Sequence, residues 1–157
     1  MKSLVVYAST SGNTRTIAEA IAQALRQRGE VELIAVDQAP ASLPVADLVF
    51  FGAPTEGHTM SRPMAGFLKR LAPESVRGTT MATFDTRLRW PKVLSGSAAA
   101  DIAKRLQSAG ARMAAPPESF LVTKKPELEP GEAARAAAWA SGIAVAVEGR
   151  APAGIPS

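Results

Sequence analysis

The sequence predicts an α/β domain in which a doubly wound, five-stranded parallel sheet lies between two layers of helices. Two observations carry this prediction: apolar runs of strand length alternate with amphipathic segments of helix length, and the apolar runs are continuous rather than alternating. Continuous apolar strands are typical of a parallel sheet covered on both faces. Right-handed crossovers between such strands give a three-layer sandwich.

Five segments have the character of buried strands, and the fifth is the weakest. They begin at Lys2 (KSLVVYA), Val31 (VELIAVD), Ala46 (ADLVFFGA), Thr79 (TTMATFD) and Ala111 (ARMAAPPESFLV).

Helical segments separate these strands. The first, from about residue 13 to 28, carries Ile17, Ile21 and Leu25 on one stripe, and Gly29 ends it. The last places Trp139 at helical spacing with Ile143, which assigns Trp139 to the core. The remaining helices are expected after Pro63, from Ser95 or Ser97 to Gly110, and from Gly131 to about Val147.

Composition limits the class of protein. The 157 residues are enough for one domain with its own core, which we place at residues 1–147, and the Ala, Gly and Pro of residues 148–157 predict a mobile tail. The chain has no cysteine and one histidine, so cysteine chemistry is excluded and a metal site is not expected.

No segment predicts membrane insertion or a signal peptide, which favours a cytoplasmic protein. The net charge of +4 is spread along the chain, so nucleic-acid binding is not expected.

The most informative motif follows the first strand, where the chain reads YASTSGNTR. At a strand-to-helix turn, backbone N–H groups and the helix dipole converge, and a glycine allows close approach of a ligand. With the hydroxyls around it, this first loop is predicted to hold a phosphate monoester. The lysine of a P-loop nucleotidase is missing, and the alternative is that these residues only cap the helix. The first loop comprises Ser9, Thr10, Ser11, Gly12, Asn13 and Thr14.

The first loop carries a family resemblance. Ser9, Ser11, Gly12 and Thr14 fit the pattern [ST]-x-[ST]-G-x-T in register, and in this the chain resembles the flavodoxin family, including short prokaryotic flavodoxin-domain proteins, to about Val147. The resemblance implies strand order 2-1-3-4-5. It also implies a non-covalent FMN, with its phosphate in the first loop and its isoalloxazine ring between two further loops.

The second loop, residues 52–63, reads GAPTEGHTMSRP. Pro54 and Thr55 reproduce a pair common in the family, but Glu56 follows where an aromatic residue usually covers the flavin. His58 is the nearest planar side chain and is our candidate for that position, while Gly57 would let a peptide group turn toward the flavin. The alternative for His58 is an ordinary solvent-exposed loop residue.

The third loop, residues 84–97, reads FDTRLRWPKVLSGS. The family's usual tyrosine is absent, and Trp90 is the candidate to replace it against the other face of the ring; alternatively, Trp90 only seals the loop against the domain. Backbone contacts to the ring are expected at the strand end, at Phe84, Asp85, Thr86 and Arg87.

The preferred function is an FMN-dependent electron carrier between redox enzymes, with no catalytic residue of its own. An NAD(P)H-dependent quinone or azo-compound reductase, an oxidase of a tetrapyrrole precursor, and a flavin-free regulatory or interaction module are the alternatives. Basic residues on the second and third loops predict an acidic partner protein and a less negative flavin potential than in acidic relatives. We expect a monomer or a weak dimer. The basic residues are Arg62, Arg87, Arg89 and Lys92.

Overall fold

A computed structural model describes residues 1–150 and contains every predicted strand and helix. The strands are β1 (Lys2–Tyr7), β2 (Glu30–Ala35), β3 (Leu48–Glu56), β4 (Thr59–Met60), β5 (Thr80–Leu88), β6 (Arg112–Met113) and β7 (Glu118–Val122). The helices are α1 (Asn13–Arg26), α2 (Arg62–Arg70), α3 (Lys92–Ser95), α4 (Ala98–Ser108) and α5 (Glu132–Arg150), with one turn of 3-10 helix at Pro73–Ser75.

The sheet has the predicted order. From one edge it runs β2, β1, β3 and β5, all parallel, and the fifth position is shared by β6 at the start of β5 and β7 at its end. The predicted fifth strand is therefore split in two. Pro116 and Pro117 lie in the gap, and proline cannot donate a ladder hydrogen bond.

The structure adds elements that the sequence did not predict. β3 continues to Glu56 and turns back through β4, and β5 continues to Leu88, so the second and third loops are partly strand. α3 lies inside the third loop. α5 extends to Arg150, so residues 148–150 of the predicted tail are helical, while residues 151–157 lie outside the described part of the chain.

Two apolar layers cover the faces of the sheet. Successive side chains of a strand point to opposite faces, so Phe51 faces α2 and α4 while Phe50 faces α1 and α5. Trp139 packs edge-on against Phe50, Phe84 and Phe120, which confirms its place in the core. Among the helices of residues 1–150, none has the length and apolarity needed to cross a bilayer.

A buried carboxylate fixes the start of α5 to β7. Glu132 accepts hydrogen bonds from the Leu121 amide at 2.7 Å and from Arg135 at 2.8 and 2.9 Å. The Arg135 guanidinium also lies over the Phe120 ring and donates to the Ser119 carbonyl. Hydrogen bonding by Arg135 holds the pKa of Glu132 below its ordinary value of 4.5, against the opposing effect of burial.

This lowered pKa predicts a pH-dependent contribution to stability. Because the folded-state pKa is the lower one, the stabilisation is complete above about pH 4.5 and is lost as the pH falls through the folded value. We expect Glu132→Gln to lower the free energy of unfolding by roughly 1–2 kcal/mol at pH 7 and by progressively less as the pH falls below 4.5 through the folded-state pKa. Urea unfolding at a series of pH values measures this, with the exposed Glu127→Gln as control. A deficit independent of pH would contradict it.

Candidate functional site

The first loop directs two backbone amides at one point. Gly12 is the N-cap residue of α1, with φ of +91°, and no side chain occupies the usual capping position. Instead, the Ser9 hydroxyl oxygen accepts hydrogen bonds from the amides of Gly12 at 3.1 Å and Arg15 at 3.3 Å. An oxygen atom at the start of α1 therefore meets converging N–H groups and the positive end of the helix dipole.

Side chains of the first loop connect it to the rest of the site. Ser9, Thr10, Ser11 and Gly12 are exposed. The Asn13 amide nitrogen donates to Ser11 Oγ and, at 2.6 Å, to the carbonyl of Pro126. The loop is thus fixed to the segment after β7 as well as to α1.

Two further hydrogen bonds bring the three predicted loops together. The Thr10 hydroxyl donates to Glu56 in the second loop at 3.0 Å. Thr14 is buried, and its hydroxyl shares a hydrogen bond of 2.8 Å with that of Thr86 at the end of β5. The Thr14 side chain therefore points into the protein and joins α1 to the third loop.

The second loop is a tight hairpin. Glu56 pairs with Thr59, and the two residues between them, Gly57 and His58, have φ of +53° and +73°, as a type I′ turn requires. Thr55 Oγ1 accepts a hydrogen bond from the Ala98 amide at the start of α4. His58 is exposed, and its backbone forms a bridge with Gly96 of the third loop.

In the third loop, the side chains of Phe84 and Asp85 point away from solvent. Both are fully buried, and Phe84 packs against Phe120 and Trp139. The Asp85 carboxylate accepts hydrogen bonds from the Ser97 hydroxyl at 2.7 Å and the Ala99 amide at 3.0 Å, which stabilises the N-terminus of α4. Neither of these two side chains is therefore exposed at this end of the sheet.

The second and third loops border an open cavity of about 190 Å³. His58 and Trp90, the two planar residues predicted for the ring, both line it, together with Thr55, Gly57 and Arg87. Trp90 is 50% exposed. The Arg87 guanidinium donates hydrogen bonds to the carbonyls of Leu88 and Trp90 and so stabilises the turn that carries Trp90.

The four predicted basic residues differ in the groups that their side chains contact. Arg87 is held by the loop's own carbonyls, and Arg89 forms a two-bond ion pair with Glu129 at 2.7 and 3.2 Å. Arg62 and Lys92 are exposed, and neither forms an ion pair within residues 1–150. Among these four residues, Arg89 is thus the one whose charge a carboxylate compensates within residues 1–150.

A second cavity at this end of the sheet was not predicted. It measures about 420 Å³ and lies on the β2 side of the first loop, where Tyr7, Arg15, Asp37 and Ser61 line it. The sequence contained one signal for it: the predicted second strand ends on an aspartate, Asp37. A larger cavity of about 540 Å³, bordered by Thr80 and Arg112, lies at the amino ends of the strands, away from the three loops.

The fold and the three loops define a class of protein. In a doubly wound sheet, ligands lie beyond the carboxyl ends of the strands where the strand order reverses, here between β1 and β3. The first loop, with its converging amides, stands at that position. The chain belongs to the family of flavodoxin domains, whose sequence model matches residues 4–88.

Solved structures with the same fold extend the similarity beyond residue 88. The chain is 25% identical to flavodoxin 1 from Bacillus cereus, covering 92% of this chain and 98% of that one with a TM-score of 0.77. An archaeal flavodoxin is 24% identical, with 94% and 99% coverage and a TM-score of 0.74. The rubredoxin oxygen:oxidoreductase of Desulfovibrio gigas is 20% identical, with a TM-score of 0.76; 94% of this chain covers 36% of that one. No curated protein sequence is a significant match.

Proposed function

We propose that this protein binds FMN non-covalently and carries electrons between redox enzymes. The observation that supports this most directly is the convergence of the three loops, which are joined by the Thr10–Glu56 and Thr14–Thr86 hydrogen bonds. When bound, the flavin would supply the one- and two-electron chemistry, and the protein would supply binding, orientation and electrostatics.

The first loop fits a phosphate group. The amides of Gly12 and Arg15 already meet on one oxygen, that of Ser9, and a phosphate oxygen would accept the same two hydrogen bonds once Ser9 turned aside. Gly12 has open space where a side chain would stand. The exposed hydroxyls of Thr10 and Ser11 would donate to the remaining oxygens.

The cavity between the second and third loops fits an aromatic ring system. Trp90 presents a half-exposed indole there and His58 a second planar group, so that both can stack on a flat ligand. Pro54 and Thr55, at the end of β3, and the backbone of residues 84–87 would meet the edges of the ring. The glycine at position 57 allows the turn to adjust.

The partner protein we propose is acidic at its docking surface. Arg62 and Lys92 supply exposed positive charge beside the second and third loops, and Trp90, Val93 and Leu94 add exposed apolar area around α3. A cytoplasmic location and a monomer or weak dimer complete the proposal.

Titration with FMN tests the cofactor assignment. We expect one equivalent of FMN to bind with loss of flavin fluorescence, and Trp90→Ala to weaken binding by roughly tenfold, because aromatic stacking contributes about 1 kcal/mol beyond burial. Flavin fluorescence, followed to saturation, gives the dissociation constants.

Val93→Ala is the matched control. Val93 is 89% exposed on α3 and does not line the cavity, so FMN affinity should stay within about twofold. Equal affinity of the Trp90→Ala variant would remove Trp90 from the ring site. Absence of FMN binding by the unaltered protein would overturn the proposal, and steady-state oxidation of NADPH by a quinone without an added reductase would replace the carrier with an enzyme.

A further inference from the structure

Glu56 places a negative charge against the first loop. It is the last residue of β3 and is exposed, and its Oε1 atom accepts the hydrogen bond that the Thr10 hydroxyl donates over 3.0 Å. The proposed function assigns this carboxylate no role. A carboxylate and a phosphate group both accept hydrogen bonds from hydroxyls. Glu56 therefore engages a donor that a phosphate in the first loop would also use.

No neighbouring cation compensates the charge of Glu56. Within residues 1–150, Glu56 forms no ion pair. Arg15, which supplies one of the two converging amides, has its guanidinium paired with Glu19 at 2.9 Å. A phosphate monoester carries about 1.5–2 negative charges at pH 7. Its binding beside Thr10 would bring like charges close together, which raises the free energy of the bound state.

We infer that Glu56 lowers the affinity of the site for FMN and so narrows its preference for FMN over riboflavin. The inference rests on the proposed flavin binding. Riboflavin has the same ring and ribityl chain as FMN but no phosphate, so it neither competes for the Thr10 hydroxyl nor brings an anion toward Glu56. Glu56 does not line the cavity between the second and third loops. It is a specificity-determining residue that opposes the phosphate and leaves the ring unaffected.

Glu56→Gln tests the inference because glutamine keeps the size and one acceptor oxygen of the side chain but loses the charge. We expect FMN to bind about three- to tenfold more tightly, while riboflavin affinity stays within about twofold. The gain for FMN should shrink at about 1 M NaCl, where the Debye length is only about 3 Å. Titrations followed by flavin fluorescence at low and high salt give these dissociation constants.

Glu74→Gln is the charge-matched control. Glu74 is exposed and lies in the 3-10 turn that precedes β5, away from the three loops. Its substitution removes the same charge from the chain, so the affinities for FMN and riboflavin should both stay within about twofold. A gain in FMN affinity equal to that of Glu56→Gln would mean that net charge, rather than the position of Glu56, is responsible, and would overturn the inference.

Two other results would overturn it. One is equal FMN affinity of the Glu56→Gln variant and the unaltered protein. The other is an equal gain for riboflavin, which would assign the effect of Glu56 to the conformation of the hairpin rather than to the phosphate.

Inorganic phosphate tests the same contact without a flavin. The amide resonance of Gly12, followed by NMR, should shift on addition of phosphate, with a lower dissociation constant in Glu56→Gln than in the unaltered protein. If neither flavin binds, the proposed function fails on its own. The phosphate titration then still decides whether Glu56 opposes an anion in the first loop, and equal dissociation constants would overturn that.

Discussion

Replacement of Gly12 by valine is expected to weaken FMN binding by roughly 100-fold or more. Gly12 has φ of +91°, which costs an L-residue about 1–2 kcal/mol, and a β-branched residue tolerates it least. A side chain there would meet no atom within 4 Å, so the damage should come from the backbone turning the Gly12 and Arg15 amides away from their common point. Flavin titration gives the loss of affinity.

Gly131→Val is the matched control for backbone strain. Gly131 also has positive φ, at +82°, has open space at its Cβ position, and stands at the start of a helix, α5. The Gly131→Val substitution should lower the free energy of unfolding by roughly 1–2 kcal/mol, as Gly12→Val does, while FMN affinity stays unchanged. Tight FMN binding by the Gly12→Val variant would mean that the first loop is not the phosphate site.

Gly96→Ala should separate the second and third loops. A Cβ atom at Gly96 would lie 2.0 Å from the carbonyl oxygen of His58 and 2.5 Å from its carbonyl carbon, both backbone atoms. Either the Gly57–His58 turn or α3 must therefore move, which widens the cavity that Trp90 and His58 line. We expect a loss of FMN affinity of about tenfold or more and a fall in unfolding free energy of roughly 1–3 kcal/mol.

Gly78→Ala is the control for the positive φ of Gly96 in this case. Gly78 has nearly the same φ, +74° against +72°, but nothing lies within 4 Å of its Cβ position. The difference between the two variants contains the clash with His58, together with the strain of the Gly96 ψ of −179°, which is a backbone conformation that glycine alone adopts readily. If both variants bind FMN equally well, the contact between the hairpin and the third loop does not shape the flavin site.

The first loop could be predicted because its determinants are local. An apolar strand, a glycine and hydroxyl residues at the next helix follow one another within residues 4–14, and the positive φ of Gly12 is a property of glycine itself. The sheet order was also accessible, since it follows from five apolar runs, crossover handedness and the resemblance.

The conformation of the second and third loops, in contrast, depends on contacts between residues that are distant in the sequence. The sequence could show that Asp85 ends a strand but not that its carboxylate meets Ser97 and Ala99, because a strand buried on both faces has no polar alternation to reveal direction. Likewise, His58 adopts a positive φ that histidine seldom has, and the bridge to Gly96 accompanies it. Such pairings exist only once the chain is folded.

Thr10 cannot donate its hydroxyl proton to Glu56 and to an anion in the first loop at the same time. A threonine hydroxyl carries a single proton, which Thr10 donates to the Glu56 carboxylate. An anion in the first loop would compete for that same proton, so its arrival releases Glu56 from the loop. If the first loop holds the phosphate of a flavin, as proposed, ligand binding there would remove one connection to the Glu56–Thr59 hairpin, while the Thr55–Ala98 hydrogen bond and the His58–Gly96 bridge would still hold that hairpin to the third loop.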